Sequence, residues 1–191
     1  YSAGKVQGDI AEQRHHPDRE FNNVYEESKN LAENQVVDYC SQHGLSYRIL
    51  RPTIVMGPLI SHHSGTTRFG VYGFTREVYR LRETLAKLKH PLQLLGHSRA
   101  TANLTPVDAC VLDMLQLARN GFGQQRFFHL SNPDGVPMPD LIAEIDRITG
   151  ANRLDFVEMR YGQGGPLQEL FDERTRFYAG YYNAEKHFQR T

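Results

Sequence analysis

The 191-residue sequence has little of what several protein classes require. Its two cysteines, Cys40 and Cys110, are too few for a disulfide scaffold and form no metal-ligand pair by their spacing. The mean hydropathy is −0.56, and no apolar run approaches the ~20 residues that a membrane span needs. We therefore expect a soluble protein of the reducing cytoplasm, without a membrane partner.

The sequence also has no excess of charge of either sign. Its 22 Lys and Arg residues balance its 22 Asp and Glu residues. A neutral chain lacks the global field that attracts nucleic acids non-specifically, so we expect no nucleic-acid partner. At roughly 150 residues per domain, the length suits one domain with a small additional lobe.

Helical and extended patterns alternate along the chain. Residues 23–43 favour a helix, and Gly44 is well placed just after its end. Residues 45–52 then form an alternating strand that Pro52 stops. Helix, glycine and strand in this order are what an α/β crossover requires.

The other predicted elements continue this alternation. They are polar loops at 9–20 and 58–73, helices at 74–89, 139–149 and 166–178, strands at 126–130 and 154–159, and a helix that Thr105 caps with Pro106 in its first turn. Strands that alternate with helices predict an α/β fold with a partly parallel sheet.

Tyr25 and Lys29 are the leading candidates for chemistry. Residues four apart share one helical face, so the phenol and the ammonium can meet. An ammonium stabilises a phenolate and lowers the phenol's pKa from about 10, which makes the phenol a competent proton donor or acceptor. The same spacing recurs at Tyr182 and Lys186, but no strand or Arg-Pro turn follows that pair.

The context of Tyr25 resembles the extended short-chain dehydrogenase/reductase family, and its thioester-reductase and fatty-acyl-reductase branch most closely. The matching segments are SAGKVQG (2–8), NNVYEESKNLAE (22–33), Gly44, RPTIVMGP (51–58) and NLTPVD (103–108). They occur in the family's order and span residues 1 to about 120.

The resemblance implies a Rossmann-type domain with a doubly wound, mostly parallel sheet, a C-terminal substrate lobe and NADP or NAD as cofactor. It assigns Tyr25 as the catalytic proton donor or acceptor and Lys29 as its ribose-binding partner. It also places Pro52, Thr53, Ile54 and Val55 beside the nicotinamide. In this branch the substrate is an acyl group on an acyl carrier protein, released as an aldehyde or alcohol.

The resemblance divides the chain into four segments. They are the second half of a Rossmann-type domain (1–58), a substrate-lobe insertion with a long loop and an amphipathic helix (59–104), a return to the Rossmann-type core (105–135) and a mixed α/β substrate lobe (136–191). The basic face of the helix at 74–89 is either an ordinary solvated surface or a docking surface for an acidic carrier protein.

Two departures from the family pattern are visible. The family's third catalytic residue, a Ser or Thr, aligns with Ala3, and Ser2 lies one residue early, on the opposite face of a strand. The glycine-rich dinucleotide loop expected upstream does not precede Tyr1, which is neither Met nor part of a signal peptide. We therefore expect a fragment that is inactive in isolation.

Other hypotheses remain open at this point. Nucleotide-sugar epimerases and dehydratases share much of the motif set, and Ala3 favours a non-catalytic module that retains the fold for binding. We expect Arg51 to form a structural ion pair and Asp108 to cap a helix. The adjacent histidines at 15–16 and 62–63 suit a metal poorly, and we predict no metal site.

Overall fold

The computed structural model describes residues 4–63, 67–121, 123, 126–162 and 164–190. The chain divides into two compact units. The first comprises Tyr1–Gly65, Asn103–Gly135 and Lys186–Thr191, and the second comprises Thr66–Ala102 and Val136–Glu185.

Ten strands and five helices alternate along the described part of the chain. The strands are β1 (Gly8–Ile10), β2 (Ile49–Pro52), β3 (Ile54–Met56), β4 (Leu92–Leu95), β5 (Thr101–Ala102), β6 (Leu104–Pro106), β7 (Phe127–Leu130), β8 (Val136–Pro137), β9 (Leu154–Val157) and β10 (Lys186–Phe188). The helices are α1 (Val24–Gln42), α2 (Gly70–Leu85), α3 (Val107–Arg119), α4 (Met138–Thr149) and α5 (Pro166–Ala179). None of these helices is long and apolar enough to cross a membrane.

The strands are hydrogen-bonded in pairs, and four of the five pairs are parallel. In the first unit β1 pairs with β10, β2 with β7 and β3 with β6. In the second unit β4 pairs in parallel with β9, and β5 pairs antiparallel with β8. The prediction of an α/β fold with mostly parallel strands is confirmed.

Helix α1 begins and ends where the sequence signals lie. The Asn23 side chain accepts a hydrogen bond from the amide of Glu26 and so caps the first turn. Gly44 follows the last turn with a φ of 65°, a left-handed conformation that glycine adopts at no steric cost. The helix therefore presents Tyr25 in its first turn.

The buried face of α1 is mostly polar, with Val37 as its apolar member. Glu26, Asn30 and Asn34 are buried at four-residue spacing, whereas Leu31 and Tyr39 are 48% and 58% exposed. The side-chain amide of Asn34 donates to the backbone carbonyl oxygens of His15 and Asn30. Buried polar side chains must find such partners, and here the partners orient the helix.

Several element boundaries differ from the predicted ones. Thr105 does not cap a helix, because it lies in β6 with its hydroxyl 2.7 Å from that of Thr53; α3 begins two residues later. The predicted loop at 9–20 contains most of β1, and α2 begins inside the predicted loop at 58–73 and ends at Leu85. Strands β3, β4, β5, β6, β8 and β10 were not predicted; all of them except β4 have only two or three residues, too few to show a period.

Candidate functional site

Tyr25 and Lys29 lie together on one face of α1. The Tyr25 side chain is 52% exposed, and the Lys29 Nζ lies 5.3 Å from the centroid of its ring. That distance is within the range of a cation–π contact. The Tyr25 ring and the Lys29 ammonium are therefore adjacent, and both side chains are exposed.

The residue after Tyr25 fixes the first turn of α1. The buried Glu26 carboxylate accepts a hydrogen bond from the backbone N–H of Asn22 at 2.9 Å and another from Nδ2 of Asn22 at 3.0 Å. The buried Lys186 ammonium donates to the Gly4 carbonyl at 2.5 Å. Burial lowers the pKa of Lys186, and the Glu26 carboxylate opposes this shift. Because Glu26 is held this way, the neighbouring Tyr25 side chain points outward.

Arg51 connects β2 to the middle of α1. Its guanidinium is buried and donates to both carboxylate oxygens of Glu33, at 2.7 and 3.0 Å. The expected structural ion pair is thus present. The Arg51 Nη1 also lies 3.1 Å from Nε2 of His15 and 3.5 Å from Nε2 of His129. Burial lowers the pKa of His129, so a neutral imidazole is favoured beside the arginine.

The segment Pro52–Val55 passes from one parallel pair of strands to another. The Thr53 amide donates to the Leu130 carbonyl at 3.2 Å, and the Ile54 amide donates to the Asn103 carbonyl at 3.1 Å. The Thr53 hydroxyl lies 2.8 Å from Oδ1 of Asn103. Parallel sheets of this class bind ligands beyond the carboxyl ends of their strands, and β2 ends at Pro52.

Sequence reasoning assigned no site role to Asn103. Its side chain nevertheless contacts the segment beside which the resemblance places the nicotinamide. The signal that could have identified it is a polar residue directly before the alternating Leu104 and Thr105, within a segment that already matched the family.

Asp108 has a second task besides the expected one. It lies in the first turn of α3, two residues after the N-cap residue Pro106, and its carboxylate accepts a hydrogen bond from the Ala109 amide at 3.1 Å. The Asp108 carboxylate accepts hydrogen bonds from the amides of Leu59 at 2.9 Å and Ile60 at 3.3 Å. Hydrogen bonds from these amides, the Leu59 amide foremost, lower the pKa of Asp108. The side chain therefore anchors the loop that follows β3.

The remaining predicted residues separate into three cases. Ser2 and Ala3 lie outside the residues that the structure describes. Tyr182 and Lys186 do not share a helix, because Tyr182 is buried in a turn and Lys186 belongs to β10. Within the described ranges, no group of three or more His, Cys, Asp or Glu side chains could hold a metal ion.

Solved structures with this fold include two sugar-nucleotide epimerases and a protein called RMD. A UDP-glucuronic acid 4-epimerase from Bacillus cereus, in complex with NAD, is 15% identical with a TM-score of 0.55, over 93% of this chain and 58% of that one. A UDP-glucose 4-epimerase from Thermotoga maritima with UDP-glucose is 17% identical with a TM-score of 0.52, over 100% and 53%. RMD from Pseudomonas aeruginosa, complexed with NADPH, is 19% identical with a TM-score of 0.50, over 96% and 59%.

These similarities show a partial Rossmann-type α/β fold, and the chain spans 53–59% of the length of these three structures. A comparison with curated protein sequences gives no significant match. The profile of an NAD-binding family, described as male sterility protein, matches residues 1–131. That match includes α1, the Pro52–Val55 segment and Asp108. The chain therefore belongs to the male sterility protein family of NAD-binding domains.

Proposed function

We propose that the whole protein is an NAD(P)H-dependent oxidoreductase in which Tyr25 exchanges a proton with the substrate oxygen. The observation that supports this most strongly is the exposed Tyr25 ring with the Lys29 ammonium 5.3 Å from its centroid. In this role the Tyr25 hydroxyl gives a proton to the substrate oxygen, or takes one from it, while hydride moves elsewhere.

The described residues suit a dinucleotide. The exposed Lys29 ammonium has three donors, which match ribose hydroxyls, and the exposed Tyr25 hydroxyl lies on the same helical face. Pro52–Val55 would run beside the nicotinamide, with its backbone fixed by Leu130 and Asn103. The cofactor supplies the hydride. This chain's own residues hold the ribose, orient the ring and transfer the proton.

We propose an acyl thioester, carried by an acyl carrier protein, as the substrate. Hydride adds to the thioester carbonyl carbon, the carbon–sulfur bond breaks, and the thiol leaves with a proton. One NADPH and one proton thus convert the thioester into an aldehyde, a thiol and NADP⁺. The resemblance to the thioester-reductase branch supports this substrate. On α2, Arg76 would contribute to attracting an acidic carrier protein, whereas Arg80 and Arg82 already pair with Glu77 and Glu83.

Sugar-nucleotide epimerisation is the second candidate. The fold similarity to two UDP-sugar epimerases favours it, and the same tyrosine–lysine pair would serve it. A hydride is removed and returned to the same substrate carbon, so an epimerase consumes no NADPH. A third candidate is a non-catalytic binding module, which Ala3 in place of Ser or Thr favours.

One panel of assays separates these functions. The whole protein is incubated with NADPH and an acyl-carrier thioester, the matching acyl-coenzyme A or the free aldehyde, and NADPH consumption is followed by absorbance. UDP-glucose and UDP-glucuronic acid are incubated separately with NAD, and epimers are quantified by NMR. We expect NADPH consumption with the thioester. Epimer formation without NADPH consumption would replace the proposal, and NADPH binding without any turnover would favour the binding module.

A further inference from the structure

We propose that Asn103 is a positioning residue that acts through Thr53 to fix the cofactor-facing segment Pro52–Val55. The inference rests on the proposed function, because it takes that segment to contact the nicotinamide. The Asn103 side-chain amide is buried where the strands join, and it contributes no group to the reaction. Its role would be to set the path of the backbone.

The Asn103 side chain uses each of its polar atoms inside the protein. Its Oδ1 accepts a hydrogen bond from the Thr53 hydroxyl at 2.8 Å and from the Asn132 amide at 2.9 Å. Its Nδ2 donates to the Asn132 carbonyl at 2.8 Å. Asn103 is only 7% exposed. The Asn103 side chain therefore joins the segment after β7 to Thr53, the residue that follows β2.

The Thr53 hydroxyl contacts three neighbours. It donates to Oδ1 of Asn103 at 2.8 Å, and the Leu130 carbonyl oxygen lies 3.4 Å from it. The Thr105 hydroxyl lies 2.7 Å from that of Thr53 and 3.5 Å from Oδ1 of Asn103. Together these contacts restrict the Thr53 side chain.

These contacts lie where the backbone changes its strand partner. Up to Pro52 the chain pairs with β7, and from Ile54 it pairs with β6. Thr53 is the single residue between the two strands. Its amide still bonds to Leu130, and the next amide bonds to the carbonyl of Asn103. A shift of Thr53 would therefore displace the whole segment beside the nicotinamide.

Hydride transfer is sensitive to such displacements, because a misplacement of about 1 Å can lower a rate about 100-fold. We therefore expect loss of the Asn103 amide to weaken cofactor binding and slow turnover, even where the protein remains folded. A purely structural amide would lower the melting temperature and leave the cofactor affinity of the folded protein unchanged. These two outcomes are separable.

The test compares Asn103→Ala and Thr53→Val with Thr53→Ser in the whole protein. A matched control is Thr149→Val, which removes a buried hydroxyl bonded to the Ile145 carbonyl in the second unit. The NADPH dissociation constant is measured by fluorescence titration, well below the melting temperature of each variant, and KM and kcat are measured on the proposed substrate. Thermal unfolding is recorded for all variants.

We expect Asn103→Ala and Thr53→Val to weaken NADPH binding about tenfold and to lower kcat/KM about 10- to 100-fold. Thr53→Ser, which keeps the hydroxyl, should retain most of the NADPH affinity, and Thr149→Val should lower only the melting temperature. Wild-type NADPH affinity in Asn103→Ala would overturn the inference. If Asn103→Ala does not fold, Thr53→Val decides in the same way. If the wild-type protein binds no NADPH, the proposed function fails, and this inference fails with it.

Discussion

Replacing Glu33 with glutamine removes the carboxylate that pairs with the buried Arg51 guanidinium. The two side chains are 7% and 3% exposed, and their nitrogens and oxygens are 2.7 Å and 3.0 Å apart in two parallel hydrogen bonds. Loss of one partner from such a pair costs about 3–5 kcal/mol, because a charge remains buried without compensation. Glutamine can still accept one hydrogen bond, so the lower end of that range is expected.

Thermal and urea unfolding of Glu33→Gln measure this loss. A change of 1 kcal/mol shifts Tm by roughly 2–4 °C in a protein of this size, so a loss of about 3 kcal/mol lowers Tm by roughly 6–12 °C. The matched control is Glu144→Gln, which breaks a pair with Arg147 whose side chains are 55% and 70% exposed. We expect no measurable shift there. Equal Tm values for both variants would refute the reasoning.

Three further results are expected. Burial lowers the pKa of His129 below its ordinary 6.5, so the unfolded state binds the proton more tightly than the folded state does. The free energy of unfolding measured in urea melts should therefore decline below about pH 6.5, by up to about 1.4 kcal/mol per pH unit. A flat pH profile would contradict this. Asp108→Asn should accelerate hydrogen exchange at the Leu59 and Ile60 amides, whereas unchanged exchange would show that the carboxylate does not hold that loop. Lys29→Met should weaken NADPH binding about tenfold, through loss of a charge-assisted hydrogen bond, with unchanged circular dichroism; unaltered affinity would remove its ribose-binding role.

Local signals predicted the helices well. The asparagine cap, Gly44 and the four-residue spacing of Tyr25 and Lys29 act within one or two helical turns, so the sequence alone suffices to detect them. The structure places the two side chains on one face as the spacing predicts. Gly150 likewise ends α4 with a φ of 71°.

Features that depend on distant partners were not predictable in the same way. Asn34 on α1 is buried, and its side-chain amide donates to the backbone carbonyl of His15, 19 positions earlier. Thr105 has the properties of a helix cap, but the hydroxyl of Thr53, 52 positions earlier, is its partner. In both places a tertiary hydrogen bond outweighs the local preference.

The central claim is that the Tyr25 hydroxyl transfers the proton, and single-turnover hydride transfer from NADPH in Tyr25→Phe tests it most directly. Tyr79→Phe is the matched control, because Tyr79 is also 52% exposed and has the Arg82 guanidinium 4.0 Å from its ring centroid. We predict a loss of at least about 100-fold in the transfer rate of Tyr25→Phe with the fold intact, and a wild-type rate in Tyr79→Phe. A wild-type transfer rate in Tyr25→Phe would contradict the account.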